Sequence, residues 1–228
     1  MSREHTYSHE KHDVTMEIIG MALDTSESKS FQKIIIATDR GNVHCRYYSA
    51  FDAHKAVIFI GSGRNFDTPG QGRMYPSLAK ELQKQGVAAL WVRYRYSKSF
   101  VESILDVLAG ATFLSEEGIT SIGVVGHSLG GAVAMQAAAA TSIIDTVVAL
   151  STQSCGADAA AKMKKDSSLL LIHGKQDEVL SALSSQYAYL VAHEPKRIIL
   201  LDNVRHGLDE AVEEVQGTVF NWLTEKLV

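Results

Sequence analysis

The chain has few of the features that would direct it out of the cytosol or onto nucleic acid. Only two of its 228 residues are cysteines, Cys45 and Cys155, and no basic run offsets a formal net charge of -4. That balance of charge argues against nucleic acid as a partner. Two distant cysteines in a chain that opens without an apolar leader predict free thiols in a reducing compartment. No apolar stretch is long enough to span a bilayer. We therefore expect a cytoplasmic protein with neither membrane nor nucleic-acid partners.

Internal repeats, low-complexity segments and linkers are also missing from the sequence. A hydrophobic content of 46% in 228 residues is enough for the core of one domain. Residues 1–13 are polar, and the segment from His9 to His12 is one residue short of the H-E-x-x-H zinc motif. We therefore predict no metal site there. We expect residues 1–13 to form a flexible tail and residues 14–228 to form a single domain.

Apolar runs alternate with helical patterns along most of the chain. Two alternating runs around a turn signal predict a hairpin, 31–38 and 43–48, whereas 14–21 fits either an edge strand or a short helix. Continuous apolar runs, typical of strands buried on both faces, follow at 56–60, 87–92, 119–125, 146–150, 169–172 and 197–201. Helical patterns separate or follow them at 76–85, 100–116, 131–140, 157–165, 181–192 and 208–226. This order predicts an α/β fold with a mostly parallel, doubly wound sheet and an N-terminal antiparallel hairpin.

The segment Gly126-His127-Ser128-Leu129-Gly130 joins a β-branched apolar run to an alanine-rich run. A serine placed between strand and helix, with glycine two positions before and after it, is typical of a nucleophile elbow. The turn is so tight that side chains at the flanking positions would clash. Such a turn lifts the Ser128 hydroxyl above the sheet edge and points the first helical amides, notably that of Leu129, at the space before it.

Ligands bind open parallel sheets at the carboxyl ends of the strands. Polar loops follow three further strands at this edge, at 61–65, 173–177 and 202–207. A serine needs an adjacent base to become nucleophilic, and that base needs an acid to hold its tautomer and stabilise its charge. Ser128, Asp177 and His206 follow separate strands in this order. We therefore predict that they meet at one edge of the sheet.

These motifs resemble the α/β-hydrolases, and most closely the small dienelactone-hydrolase-like and esterase-like members. The resemblance runs from the first hairpin to the C-terminus and is carried by 126–131, 173–177 and 206–207. It implies that Ser128 is the nucleophile, His206 the general base and then acid, and Asp177 the orienting acid. It also implies an oxyanion hole made by the amides of Leu129 and Ser62, with Gly63 in place of Ser62 if the loop turns differently. Dienelactone hydrolases themselves have cysteine at the elbow, where this chain has serine, and no metal or cofactor is implied.

The substrate is less well defined by the sequence. Between 150 and 169 there is room for only one short helix, so we expect no large cap, and a site that is open or covered only by 64–75. Without a cap, little apolar wall is available to bury a long acyl chain. Four residues on the loops and strand ends near the site are candidate substrate-binding residues, namely Gly63, Arg64, Arg93 and Arg95. Two converging arginines would bind a carboxylate through bidentate hydrogen bonds.

The function predicted from these features is a serine hydrolase. We expect it to cleave a carboxylic ester or thioester of a small, short-acyl substrate through an acyl-enzyme intermediate. Two alternatives remain open at this point. One is a non-catalytic or slow-turnover member of the fold that binds a small molecule, and the other is a C–C hydrolase or perhydrolase that uses the same triad. The sequence does not determine the oligomeric state.

Overall fold

The structure, a computed structural model, describes residues 4–9, 12–24, 30–62 and 66–227. Its strands are β1 Glu4–His9, β2 His12–Asp24, β3 Gln32–Thr38, β4 Gly41–Tyr48, β5 Lys55–Ile60, β6 Val87–Arg93, β7 Ser121–His127, β8 Ile144–Leu150, β9 Ser168–Gly174 and β10 Lys196–Leu201. Its α-helices are α1 Met74–Gln83, α2 Phe100–Glu116, α3 Leu129–Ala140, α4 Leu183–Val191 and α5 Val212–Lys226. Short 3₁₀ helices span Ala157–Lys162 and Asp209–Ala211.

The strands form one sheet in the order β1-β2-β3-β4-β6-β5-β7-β8-β9-β10. The six strands from β6 to β10 in this order are parallel to their neighbours. The first four strands are antiparallel, and β4 joins β6 in an antiparallel pair. The predicted α/β-hydrolase fold is confirmed, with an antiparallel start that is larger than the single expected hairpin. Within the described residues only the 3₁₀ helix and its flanking turns lie between β8 and β9, so no large cap is inserted there.

Helices cover both faces of the parallel strands and divide the core into two layers. One layer packs α2, α3 and α4 on the sheet through residues such as Ile104, Met135 and Ala188. The other packs α1 and α5 on the opposite face through residues such as Leu78 and Trp222. Burial on both faces explains why the parallel strands are continuously apolar, as in β5, which is buried from its second residue to its last.

The N-terminal region differs from its prediction. The structure places residues 4–9 and 12–24 in β1 and β2, which pair in register from Glu4 with Glu17 to His9 with His12, rather than in a flexible tail. The segment 14–21, left open between strand and helix, is therefore strand, and β2 is the second strand of the sheet rather than its edge. Strand pairing uses backbone N–H and C=O groups, which a polar stretch has as well as an apolar one. Composition alone therefore did not indicate it.

Among the residues that the structure describes, each helix is too short or too polar to cross a bilayer.

Candidate active site

The predicted elbow is present, and its backbone is strained. Ser128 follows β7 and precedes the first residue of α3, with φ 58° and ψ -117°. A positive φ at a residue with a side chain is costly and persists only where the surrounding structure enforces it. Here the Ser128 amide donates to the Leu150 carbonyl at 2.8 Å, and its carbonyl accepts from the Gly131 amide at 3.1 Å. The side chain of Ser128 is partly exposed at the carboxyl edge of the sheet.

Three glycines allow the close packing on which this turn depends. A Cβ on Gly126 would lie 2.1 Å from the Gly130 carbonyl oxygen, and one on Gly130 would lie 2.7 Å from that of Gly61. A Cβ on Gly131 would lie 2.6 Å from the side chain of Thr152. No real Cβ tolerates such distances, so the glycines of the motif are required by the steep turn and the adjacent loops.

His206 and Asp177 meet as the sequence predicts. The Nδ1 atom of His206 lies 2.8 Å from Oδ2 of Asp177, whose side chain is fully buried, whereas that of His206 is 15% exposed. Burial alone would raise the pKa of Asp177, but hydrogen bonds from the Leu180 amide, His206 and the Val179 amide outweigh it and lower this pKa. The carboxylate therefore stays ionised, and His206 donates its Nδ1 proton to it. The Nε2 atom of His206 is then the one that can accept a proton.

A second histidine, to which the sequence analysis assigned no role, also contacts this acid. Nε2 of His173 lies 3.0 Å from the same Oδ2 atom of Asp177 and 3.1 Å from the Leu180 carbonyl oxygen. A carbonyl oxygen only accepts, so Nε2 carries the proton, and Nδ1 accepts from the Ser185 hydroxyl at 2.7 Å. Burial lowers the pKa of His173, which keeps the ring neutral. The His-Gly pair that opens the acid loop is the only sequence signal that could have pointed to this contact.

His127 connects the elbow to the histidine loop. Its Nε2 atom donates to the carbonyl oxygen of His206 at 2.9 Å, and the centroids of the two rings are 4.9 Å apart. Burial is the main cause that lowers the pKa of His127 to about 4, so the ring is neutral at neutral pH. Because His127 immediately precedes Ser128, this contact brings the elbow and His206 to the same place at the sheet edge.

The segment after β5 lies beside the start of α3. Gly61 is buried against the carbonyl of Asp67, Ser62 is exposed, and the Tyr75 hydroxyl donates to the Ile60 carbonyl at 3.0 Å. The Leu129 amide is in the first turn of α3, where amides have no acceptor within the helix. Gly130 lies against Ile60 and Gly61, so the segments that contain the two predicted oxyanion-hole donors, Leu129 and Ser62, are neighbours.

Part of the loop between β5 and α1 lies beside the segment that follows His206. The Gly70 amide donates to the Gly207 carbonyl at 2.9 Å, and the Gln71 amide donates to Oδ1 of Asp209 at 2.6 Å. The described part of the loop expected to cover the site is thus held against the residues that follow His206.

The candidate substrate-binding residues have different positions. Gly63 and Arg64 lie outside the described residues. Arg93 is half-buried at the end of β6 and lines a groove beside Phe66. Arg95 departs from the expectation, since its side chain is buried and paired with Asp106 and Glu102 on α2. It also donates to the Arg40 carbonyl at 2.8 Å. The position of Arg95 just after a strand did not indicate that Glu102 and Asp106 on α2 would pair with its guanidinium.

Two other acids near the site pair with basic side chains. Asp202 is exposed and lies 3.0 Å from Nζ of Lys175, so it does not replace Asp177 beside His206. Glu210 pairs with Arg205. Within the described ranges no group of three or more His, Cys, Asp or Glu side chains has the arrangement of a metal site.

A family model described as the PGAP1-like alpha/beta domain matches residues 78–205, more than half of the chain. The match includes Ser128 and Asp177 and ends one residue before His206. No curated protein matches the chain in sequence.

Solved structures show the same fold at low identity. Est1E from Butyrivibrio proteoclasticus superposes with a TM-score of 0.72 at 18% identity, covering 85% of this chain and 98% of that one. A dienelactone hydrolase from Anabaena variabilis gives 0.73 at 18% identity, covering 86% and 97%. A cold-adapted esterase from an Arctic intertidal metagenomic library gives 0.75 at 16% identity, covering 91% and 100%. The chain therefore belongs to the PGAP1-like alpha/beta domain family, and its fold is that of a cap-less α/β-hydrolase.

Proposed function

We propose that the protein is a serine hydrolase that cleaves a carboxylic ester or thioester with a short acyl group. The observation that carries this proposal is the hydrogen bond from His206 to the buried, ionised Asp177, beside a serine held in a strained elbow. Strain of this kind at an exposed strand end is typical of a nucleophile. The structural neighbours named as esterases and as a dienelactone hydrolase support the same class of reaction.

The proposed chemistry is acyl transfer in two steps. The Ser128 oxygen attacks the acyl carbon while Nε2 of His206 removes the hydroxyl proton, and Asp177 remains ionised to stabilise the imidazolium. The negative charge that develops on the acyl oxygen is stabilised by the amides of Leu129 and Ser62. His206 then returns the proton to the leaving alcohol or thiol. Water hydrolyses the acyl-serine by the same route and regenerates the enzyme.

The positions of the two other histidines suit this cycle. His173 donates to the acid and is itself held by Ser185, so Asp177 keeps its orientation toward His206. His127 is neutral and holds the backbone of the histidine loop through the His206 carbonyl. We assign both of them positioning roles rather than direct proton transfer. The absence of a cap within the described residues favours short acyl groups, because each additional methylene stabilises binding only if it leaves water.

The test is turnover of 4-nitrophenyl esters and acyl thioesters of graded chain length, with a fluorophosphonate as the active-site label. We expect one label per chain on Ser128, and loss of labelling and hydrolysis in a folded Ser128→Ala variant. Asp177→Asn is expected to lower kcat by roughly 10⁴-fold, as the loss of an orienting acid does in other serine hydrolases.

Asp202→Asn is the matched control, because this exposed carboxylate follows the neighbouring strand without contacting His206. We expect its kcat to stay within about twofold of the parent, as for surface substitutions away from the site. Undiminished hydrolysis in Ser128→Ala would overturn the proposal. Tight binding of a small ligand without turnover in the parent enzyme would favour the ligand-binding alternative instead.

A further inference from the structure

A groove of about 270 Å³ lies on the antiparallel part of the sheet, beside the candidate active site. We call it the cationic groove and define it by five of its lining residues, Phe31, Lys33, Arg46, Phe66 and Arg93. None of the residues that line this groove is acidic, although three of them carry a positive charge. Clustered like charges are unfavourable, so a partner of opposite charge would stabilise the groove.

Aromatic rings hold the guanidinium of Arg46 in place without neutralising it. Its Cζ atom lies 4.0 Å from the ring centroid of Phe66, 4.9 Å from that of Phe31 and 5.3 Å from that of Trp91. Cation–π stacking uses the faces of the guanidinium and leaves its N–H edges available to an acceptor. Arg46 is thus ordered for binding before any ligand arrives, which reduces the entropy lost on binding.

Arg93 lies next to Arg46 on the same face of the sheet. In the register of β4 and β6, Arg46 lies opposite Trp91 and His44 lies opposite Arg93. The two arginines are therefore diagonal neighbours on adjacent strands, with their Cα atoms about 7–8 Å apart. Neither guanidinium forms an ion pair or hydrogen bond with the part of the chain that the structure describes. By contrast, the guanidinium of Arg95, two residues after Arg93, forms ion pairs with the carboxylates of Glu102 and Asp106.

The groove is within reach of the elbow. Ile60 on β5 pairs with Val92 on β6 and with Gly126 on β7. The next residues of β6 and β7, Arg93 and His127, are therefore at the same height along the strands, with β5 between them. Strands are spaced by almost 5 Å, which places the two backbones about 10 Å apart. Phe66, which forms one wall of the groove, belongs to the loop that follows Ser62. A small molecule could therefore extend from the elbow into the groove.

We propose that the cationic groove binds an anionic group, a carboxylate or a phosphate, carried by the substrate at a distance from the bond that is cleaved. Arg46 and Arg93 supply the hydrogen bonds, Lys33 adds positive charge, and Phe31 and Phe66 contact the apolar part that leads to the anion. The assignment of this ligand to a substrate rests on the proposed hydrolase function, whereas the binding of the anion does not.

The first experiment measures binding alone, in the Ser128→Ala variant, by titration with succinate, with inorganic phosphate and with neutral succinamide. Calorimetry gives the affinity, and a change in the emission of Trp91, which lies under Arg46, reports the place; it should disappear in Trp91→Phe. We expect saturable binding of succinate or phosphate but not of succinamide, and the tighter anion identifies the natural group. Arg46→Gln and Arg93→Gln should each weaken binding about tenfold or more, as loss of a charge-assisted bidentate contact does.

Arg197→Gln, at an exposed position on β10 at the far edge of the sheet, is the matched control and should bind as the parent does. Higher salt should weaken binding in the parent. Affinities that are unchanged in both Arg46→Gln and Arg93→Gln, or no saturable binding of either anion, would overturn the proposal.

The second experiment joins the groove to catalysis. It compares kcat/KM for mono-4-nitrophenyl glutarate with kcat/KM for 4-nitrophenyl pentanoate, which is close in size but uncharged. The ratio should exceed one, fall about tenfold in Arg93→Gln, and be the same in Arg197→Gln as in the parent. A ratio that no groove variant changes would show that the bound anion is not part of the substrate. If neither ester is hydrolysed, the proposed function fails while the binding experiment still decides whether the groove holds an anion.

Discussion

The parallel and antiparallel halves of the sheet bury their strands differently. The central parallel strands, such as β5 and β7, are buried on both faces beneath two layers of helices. In β3 and β4 burial alternates, with one face packed on the core and the other partly or fully exposed. Alternation of this kind is usual for antiparallel sheets that have one solvated face.

This difference separates two kinds of chemistry. The parallel half provides turns at its carboxyl edge, where Ser128, Asp177 and His206 are held by close packing and buried hydrogen bonds. The antiparallel half provides an open face, on which Arg46 is presented on aromatic rings. We infer that the closed half positions reacting groups and that the open half offers surface for recognition.

The largest effect should come from adding a methyl group at the elbow. Gly126→Ala places a Cβ 2.1 Å from the Gly130 carbonyl and is expected to cost more than about 4 kcal/mol of unfolding free energy, measured by urea denaturation. Gly20→Ala in β2 of the open half meets no atom within 4 Å and should stay within about 0.5 kcal/mol.

If Gly126→Ala yields no folded protein, a milder variant makes the same comparison. Gly131→Ala should be destabilised by its contact with Cβ and Oγ1 of Thr152, and it should recover part of this loss when Thr152→Gly, which removes both atoms, is added. Equal free energies of unfolding for Gly126→Ala and Gly20→Ala would contradict the tight packing of the elbow.

Truncation of one isoleucine in each half should give the next largest difference. Ile58 on β5 is fully buried, so Ile58→Ala is expected to cost about 3 kcal/mol, the transfer free energy of the lost atoms together with a cavity term. Ile35 on β3 is half-buried on the open face, and Ile35→Ala should cost about 1 kcal/mol or less. Similar losses in chemical denaturation would contradict the distinction between the halves.

The smallest effect is the pH dependence of a contact made by Arg95, which joins the halves by contacting α2 and the turn after β3. Arg95→Gln leaves the buried carboxyl of Asp106 without its partner, which should cost about 3 kcal/mol at pH 8. Burial raises the pKa of Asp106 to about 6 even beside Arg95. Because the pKa of Asp106 is higher in the folded protein than in the unfolded chain, protonation of Asp106 stabilises the folded state. This stabilisation is lost as the pH rises through about 6.

The cost of Arg95→Gln should therefore be clearly smaller at pH 5 than at pH 8. Arg93→Gln, two residues earlier, is the control and should change the unfolding free energy by less than about 0.5 kcal/mol at both pH values. A cost of Arg95→Gln that does not vary with pH would rule out Asp106 as the group that responds.

Predictions from the sequence succeeded where local chemistry determines the structure. Helix α2 was predicted at its observed bounds, and the elbow was recognised because only glycines permit a turn between β7 and α3 as steep as this one. Asp177 was expected beside His206 from the order of the polar loops that follow the strands, and the observed contact agrees with that expectation. The polar N-terminal segment was missed, because backbone pairing leaves little trace in composition.

The sequence by itself determined the order of strands and helices, the strained serine turn and the order of the three candidate catalytic residues. These depend on backbone sterics and on hydrophobic periodicity, which act between residues that are close in the chain. Only the tertiary structure decided that Arg95 is buried against Asp106, that His173 shares the acid with His206, and that Arg46 and Arg93 face one groove. The partners in these contacts come from different elements. Which charged side chains come into contact therefore depends on the order of the strands in the sheet and on how much of each strand the helices cover.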